Sequence, residues 1–245
     1  MKKLILALSF SIGIVNVEAQ INLPSGNLGN TLNNAANAVT GGAGSLSETD
    51  IAKGLKEALD VGTKNAVGSV SKADGFLKNP KVKIPFPPEV KKVETSVRKI
   101  GMNKQADDFV KALNRAAEDA AKSATPIFSD AIKSMSLFDA KGILKGNETA
   151  ATDFMKGKTS NELAAKFKPI VQQSMQKVQV TKYWKPLATK YNQLPMTQKV
   201  NPDLEKYVTD KAIEGLFKMI AEEEIKIRKD PAARITDLLK SVFGS

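Results

Sequence analysis

The hydrophobic positions of this chain recur every three or four residues, the period of an α-helix with one buried face. The widest such pattern lies near the C-terminus. There Val208, Ala212, Ile213, Leu216, Phe217, Met219 and Ile220 fall within about half of a helical wheel. Asp210, Lys211, Glu214 and Lys218 take the other half. An apolar face that wide predicts a helix packed against several others, since a coiled-coil seam is narrower. Asp230 and Pro231 then read as N-cap and first position of a shorter helix carrying Ile235, Leu238, Leu239, Val242 and Phe243.

The same period runs upstream. Ser47-Glu48-Thr49-Asp50 resembles a capping box with Asp in place of Glu or Gln, and starts a helix to about Val70. Gly62 weakens that helix by about 1 kcal/mol relative to Ala, and Ala73-Asp74-Gly75 stops it. Pro88 opens a short helix bearing Val90, Val93, Val97 and Ile100, closed by Gly101. A longer helix over about Lys104–Ser123 has an Ala-rich half that permits close helix–helix approach. Further helices are predicted from Thr125-Pro126, over Ser136–Lys145, across Ala150–Met155, and from Ser160 to Val178 with a kink at Pro169. Another carries Tyr183, Trp184, Leu187 and Tyr191 and ends at Pro195. Only KVKIPFPP, residues 81–88, reads as extended: its three prolines bar a central strand and disfavour helix. Val82, Ile84 and Phe86 alternate within it, as in a strap lying across helices. About ten helices and no convincing strand pair predict an all-α fold, a single compact multi-helix domain over residues 46–245 with one extended Pro-rich strap.

The first residues read as an address. Lys2 and Lys3 precede an apolar run over Leu4–Val15, and Val17-Glu18-Ala19 supplies the small residues of a cleavage site. Residues 1–19 therefore read as a signal peptide cut before Gln20, which predicts an exported protein, periplasmic or extracellular. The run is short of the roughly 20 residues a membrane span needs; an uncleaved anchor is the alternative. No other stretch can span. Residues 20–45, rich in Asn and Gly, bury too little to offset their ordering entropy and read as a disordered linker, with a docking tail as the alternative.

Composition narrows the chemistry. The chain has no Cys and no His. Disulfides, thiolate nucleophiles, Ser–His–Asp systems and the usual zinc sites are thereby excluded, and stability rests on a hydrophobic core. The net charge is +11, with Lys in no run longer than Lys2-Lys3 or Lys91-Lys92. Nucleic-acid modules concentrate charge into a patch; with export, this pattern suits weak attraction to anionic lipid or envelope polymer.

Four groups of residues could form a site. Arg115 and Glu118 are helix neighbours with Asp119 beside them, either an intrahelical pair or a polar cluster facing a cleft. Glu222, Glu223 and Glu224 precede Lys226 and Arg228, predicting two i, i+4 pairs on a solvated helix end. The sharper alternative, an oxygen-rich cation site, is weakened because consecutive helical residues point apart. Tyr183, Trp184 and Tyr191 could stack on a sugar or sit at a membrane interface, against core packing. A Ser–Lys dyad from Ser69 or Ser71 with Lys72 has no diagnostic motif.

Five strings occur together and in order: LSETDIAKGLKEALDVGTKNAV, FLKNPKVKIPFPPEV, ADDFVKALNRAAEDAAKSATPIF, AKGILKGNETAATDF and EEEIKIRKDPAARITDLLKSVFG. Over about Leu46–Gly244 the chain resembles the bacterial exported family catalogued as domain of unknown function 4197. The resemblance implies an all-helical, exported, single-domain protein and brings no activity, catalytic residues or cofactor. The expected function is a non-enzymatic cell-envelope binding or structural protein. Its expected partner is an envelope protein, a lipid surface or a glycan, and neither cofactor nor metal is expected. The alternative is a hydrolase using paired carboxylates on an envelope polymer.

Overall fold

The computed structural model describes residues 47–177, 180–195 and 203–230, all within the unit Leu46–Ser245. The predicted signal peptide, the linker and the short helix after Asp230 lie outside the described residues. Eight α-helices are present among the described residues: α1 (Glu48–Val70), α2 (Lys91–Lys99), α3 (Asn103–Ala121), α4 (Ala124–Ser134), α5 (Leu137–Lys145), α6 (Ala150–Lys177), α7 (Val180–Asn192) and α8 (Leu204–Lys229). A 3-10 turn over Pro88–Val90 leads into α2. The two segments expected on either side of Ser160 are one helix, α6, which runs through Pro169 unbroken. A mid-helix proline forfeits a backbone hydrogen bond, but Leu163, Phe167 and Val171 flank it in the core at 0% exposure.

Helix α8 is the centre of the packing, lying against α1, α3 and α6. Val208, Ala212, Leu216, Phe217 and Ile220 form its buried face, while Ile213 and Met219 sit at the core edge. Asp203 caps its start, accepting from the Lys206 N–H at 2.9 Å. Ser47 caps α1 in the same way, at 3.1 Å from the Asp50 N–H. Ser136 and Asp139 complete a reciprocal capping box on α5. Helix α2 closes as its sequence predicts: Gly101 adopts φ +85°, the Met102 N–H reaches Val97 O at 2.9 Å, and the Gly101 N–H reaches Arg98 O at 3.1 Å. These bonds satisfy the last carbonyls of the helix. Ile100 departs from expectation and is 51% exposed, because it follows the last helical residue.

The strap leaves a turn, in which the Val82 and Lys83 N–H groups bond to Asn79 O, and crosses the helices over residues 83–87 without regular secondary structure. Val82, Ile84 and Phe86 point into the core and Lys81, Lys83 and Pro85 point out. Close approach of α8 to this region needs a glycine. A Cβ on Gly215 would come within 2.7 Å of the Phe76 ring and 3.2 Å of Val82 Cβ.

Candidate functional site

Three buried polar side chains on helices hold segments that have no regular backbone partner of their own. The first is Asn114 on α3, at 0% exposure. Its Oδ1 accepts from the Ile84 N–H at 2.9 Å, and its Nδ2 donates to Ile84 O and to Val110 O, each at 2.8 Å. The side-chain amide thus takes the place of a neighbouring strand for the strap. Tyr207 Oη adds a bond to Pro85 O at 3.3 Å, and Lys218 Nζ donates to Lys81 O at 3.0 Å.

The second is Glu118, also on α3 and 4% exposed. Its Oε1 accepts from the backbone N–H groups of Phe76 and Leu77 at 3.1 and 3.3 Å. Arg115 pairs with its other oxygen and with Asp74. The Glu118 carboxylate, with Asp74 second, holds the Arg115 guanidinium above its ordinary value despite partial burial. Asp74 is held below the carboxylate range by Lys78 first and Arg115 second. The turn they grip doubles back tightly on α1. Asp74 has φ +67°, and a Cβ on Gly75 would lie 2.6 Å from both Ser69 O and Val70 O. Asp119, the next residue of the predicted cluster, faces elsewhere. It joins Lys122 at 2.6 Å and accepts from the buried Ser174 hydroxyl of α6 at 2.7 Å. Lys122 first, then Ser174, lowers its pKa.

The third is Glu224 on α8, 8% exposed. Its oxygens accept from the N–H groups of Ala151 and Thr152 at 3.0 and 2.8 Å and from Thr152 Oγ1 at 2.8 Å. Arg228 donates from Nε to the same carboxylate at 3.0 Å and from Nη2 to Ile143 O at 3.0 Å. One ion pair therefore places its anion at the N-terminus of α6 and its cation at the C-terminus of α5, the favourable sign at both ends of the helix dipoles. The solvated helix end expected here is corrected for Glu224, whose partners are backbone groups far away in sequence. Glu223 meets Asn65 of α1 at 3.1 Å, and Glu222 meets Lys81 of the strap at 2.9 Å. Three consecutive carboxylates serve three different elements. Among the described residues no group of three or more metal-ligating side chains converges.

Trp184 is half-buried and lies 5.2 Å, ring to ring, from Phe109, which in turn meets Phe86 at 4.6 Å. Tyr183 is also half-buried and Tyr191 is buried. The aromatic group is thus turned largely toward the core. Ser69 donates to Ala66 O at 2.7 Å, inside its own helix.

The open concavities lie elsewhere. A cleft of about 680 Å³ separates α6 from α8 and is lined by Asp153, Lys156, Asn161, Asp210, Glu214 and Lys218 among others. A groove of about 480 Å³ runs along α7 against Met102. A cavity of about 20 Å³ beside Glu224 is apolar on its α1 wall and has room for about one water.

These features define an all-α, strap-crossed single domain whose buried ion pairs are anchors for loops and helix ends. The chain belongs to the family described as protein of unknown function DUF4197, whose family model matches residues 45–244. Neither the curated proteins nor the solved structures contain a match to it.

Proposed function

We propose that the chain is an exported, non-enzymatic protein of the cell envelope that works by binding a partner at its surface. The observation that carries this is where its buried charges go. Glu118 and Glu224 spend their oxygens on backbone N–H groups and on an arginine apiece. A catalytic carboxylate needs an oxygen free to meet substrate and a second ionisable group facing the same space. Export rests on the N-terminal pattern, and intact-mass measurement tests it: loss of about 2 kDa on secretion is expected.

The alternative, a carboxylate-dependent hydrolase acting on an envelope polymer, finds a carboxylate-lined cleft among the described residues. Asp153, Asp210 and Glu214 line the cleft between α6 and α8, although Asp210 pairs with Lys206 and Glu214 with Lys211. The test incubates the full chain with purified envelope fractions and follows both sedimentation and release of soluble fragments. Co-sedimentation without release, unchanged in D153N/D210N/E214Q, is expected. Fragment release that disappears in that variant would replace the binder with the hydrolase.

A further inference from the structure

Residues 163–202 contain seven lysines and no Asp or Glu. That stretch alone carries more than half of the net charge of +11. Helix α7 is its described centre. Lys182, Lys185, Pro186, Thr189 and Lys190 share one helical face, and with Met102 they line the 480 Å³ groove. The opposite face holds Val180, Leu187 and Tyr191 in the core, so the lysine face is fixed outward.

Eleven lysines among the described residues pair with a carboxylate, and these three do not. Lys53, Lys64, Lys122 and Lys206 each pair with a carboxylate of their own helix. Lys182, Lys185 and Lys190 are exposed, α7 has no acidic residue, and none of the three pairs with a carboxylate among the described residues. On α3, which packs against α7, Asp107 pairs with Arg98 and Asp108 with Lys104. The floor of the groove is apolar. Met102 and Pro186 form it, and Ile100, 51% exposed, stands on the same turn as Met102.

Unpaired ammonium groups around an apolar floor match an amphiphile with anionic headgroups. Lysine stems lie along apolar surface while their charges reach outward. A lipid phosphate can meet the ammonium groups while its glycerol region meets Met102, Pro186 and Ile100. A free polyanion needs no apolar floor. A defined peptide needs directional hydrogen-bonding groups, and Thr189 is the one such lining residue. No helix among the described residues is long and apolar enough to cross a membrane.

We propose that α7 and the Gly101 turn form a docking face for an anionic phospholipid membrane. This rests on the binder function above and names its partner class. The test is co-sedimentation of the full chain with phosphatidylcholine vesicles, with and without phosphatidylglycerol, at low and high salt. Binding should require phosphatidylglycerol and weaken with salt. Each lysine near an anionic surface contributes roughly five-fold, so K182Q/K185Q/K190Q should lower the partition coefficient about 100-fold. A charge-matched control, K53Q/K64Q/K133Q, should lower it far less, because attraction fades within a Debye length of about 10 Å. Equal losses in the two variants would reduce the effect to net charge and overturn the docking face. Full competition by inorganic phosphate would also overturn it, in favour of a free-anion site. Sedimentation with envelope fractions that survives in K182Q/K185Q/K190Q, without vesicle binding, would overturn the lipid partner and leave the binder function standing. Polymer hydrolysis would instead remove the binder function itself.

Discussion

Asn114 and Ile84 are joined as two strands would be, although one is on a helix and the other on a proline-rich strap. The Asn114 amide accepts the Ile84 N–H at 2.9 Å and donates to the Ile84 carbonyl at 2.8 Å, with both residues buried. Asn114→Ala leaves both backbone groups without partners in the core. Each unsatisfied buried group costs about 1–3 kcal/mol, so a loss of about 2–6 kcal/mol is expected by urea unfolding. Asn114→Asp keeps the acceptor and loses the donor, and should also destabilise. A loss below about 1 kcal/mol in Asn114→Ala would mean that water or a shifted strap satisfies Ile84.

This clamp also shows what the chain discloses and what it hides. Gly101 as a helix terminator and Ser47 as a cap are local, because their partners lie within five residues in sequence. The alternation of Val82, Ile84 and Phe86 is local too, and the strap follows it. Asn114, Glu118 and Glu224 carry no such signal. On a helical wheel Glu118 and Glu224 read as surface polar residues, and the partners of all three are backbone groups 30 to 73 residues away. Glu224 reads as solvated in the sequence because Lys226 and Arg228 offer local pairs to this stretch of carboxylates. Asn114 had a faint signal: it lies between Leu113 and Arg115 on the same wheel as Val110 and Ala117, inside an otherwise apolar face. The lysines of α7 were hidden for another reason. They form no run, and only the absence of acids between Glu162 and Asp203 sets them apart.

Two glycines should respond in opposite directions to the same substitution. Gly215→Ala forces a methyl to within 2.7 Å of the Phe76 ring and 3.2 Å of Val82 Cβ. Overpacking of this kind costs about 1–3 kcal/mol. Gly157, exposed within α6, has nothing within 4 Å of its would-be Cβ. Gly157→Ala should stabilise by about 0.5–1 kcal/mol through helix propensity. Thermal melts of both variants check the sign. Stabilisation by Gly215→Ala would show that the strap is not seated against α8.

Acid should loosen the turn after α1. Asp74 has its folded pKa lowered, by Lys78 first and Arg115 second. A lowered folded pKa means that the contribution is fully present above the unfolded value of about 4. It is lost as pH falls below that value through the folded one. Asp74→Asn removes the titrating group, and Asn tolerates the positive φ of this position. The variant should be less stable at neutral pH and should lose stability less steeply below about pH 4. Urea midpoints across that range measure it; parallel curves for the two proteins would show that Asp74 is not linked to folding.

The Glu224–Arg228 pair gives the sharpest contrast with its neighbour. Glu223 is half-buried and accepts one bond from Asn65, so Glu223→Ala should cost less than about 1 kcal/mol. Glu224→Ala removes the acceptor for two N–H groups of α6 and the Thr152 hydroxyl. It also leaves Arg228, with its side chain 15% exposed, without its carboxylate. Breaking a buried pair from one side costs about 3–5 kcal/mol, a large share of the roughly 5–15 kcal/mol that holds a domain together. Glu224→Gln keeps the shape but turns an amide donor toward donors, so it should fall between the two. Urea unfolding ranks the three variants. Amide hydrogen exchange at Ala151 and Thr152 separates a local effect from a global one, because these N–H groups lose their acceptor in Glu224→Ala and should exchange faster than the rest of α6. Equal costs for Glu223→Ala and Glu224→Ala, with unchanged exchange at Ala151, would mean that the α6 terminus is held by something other than this carboxylate.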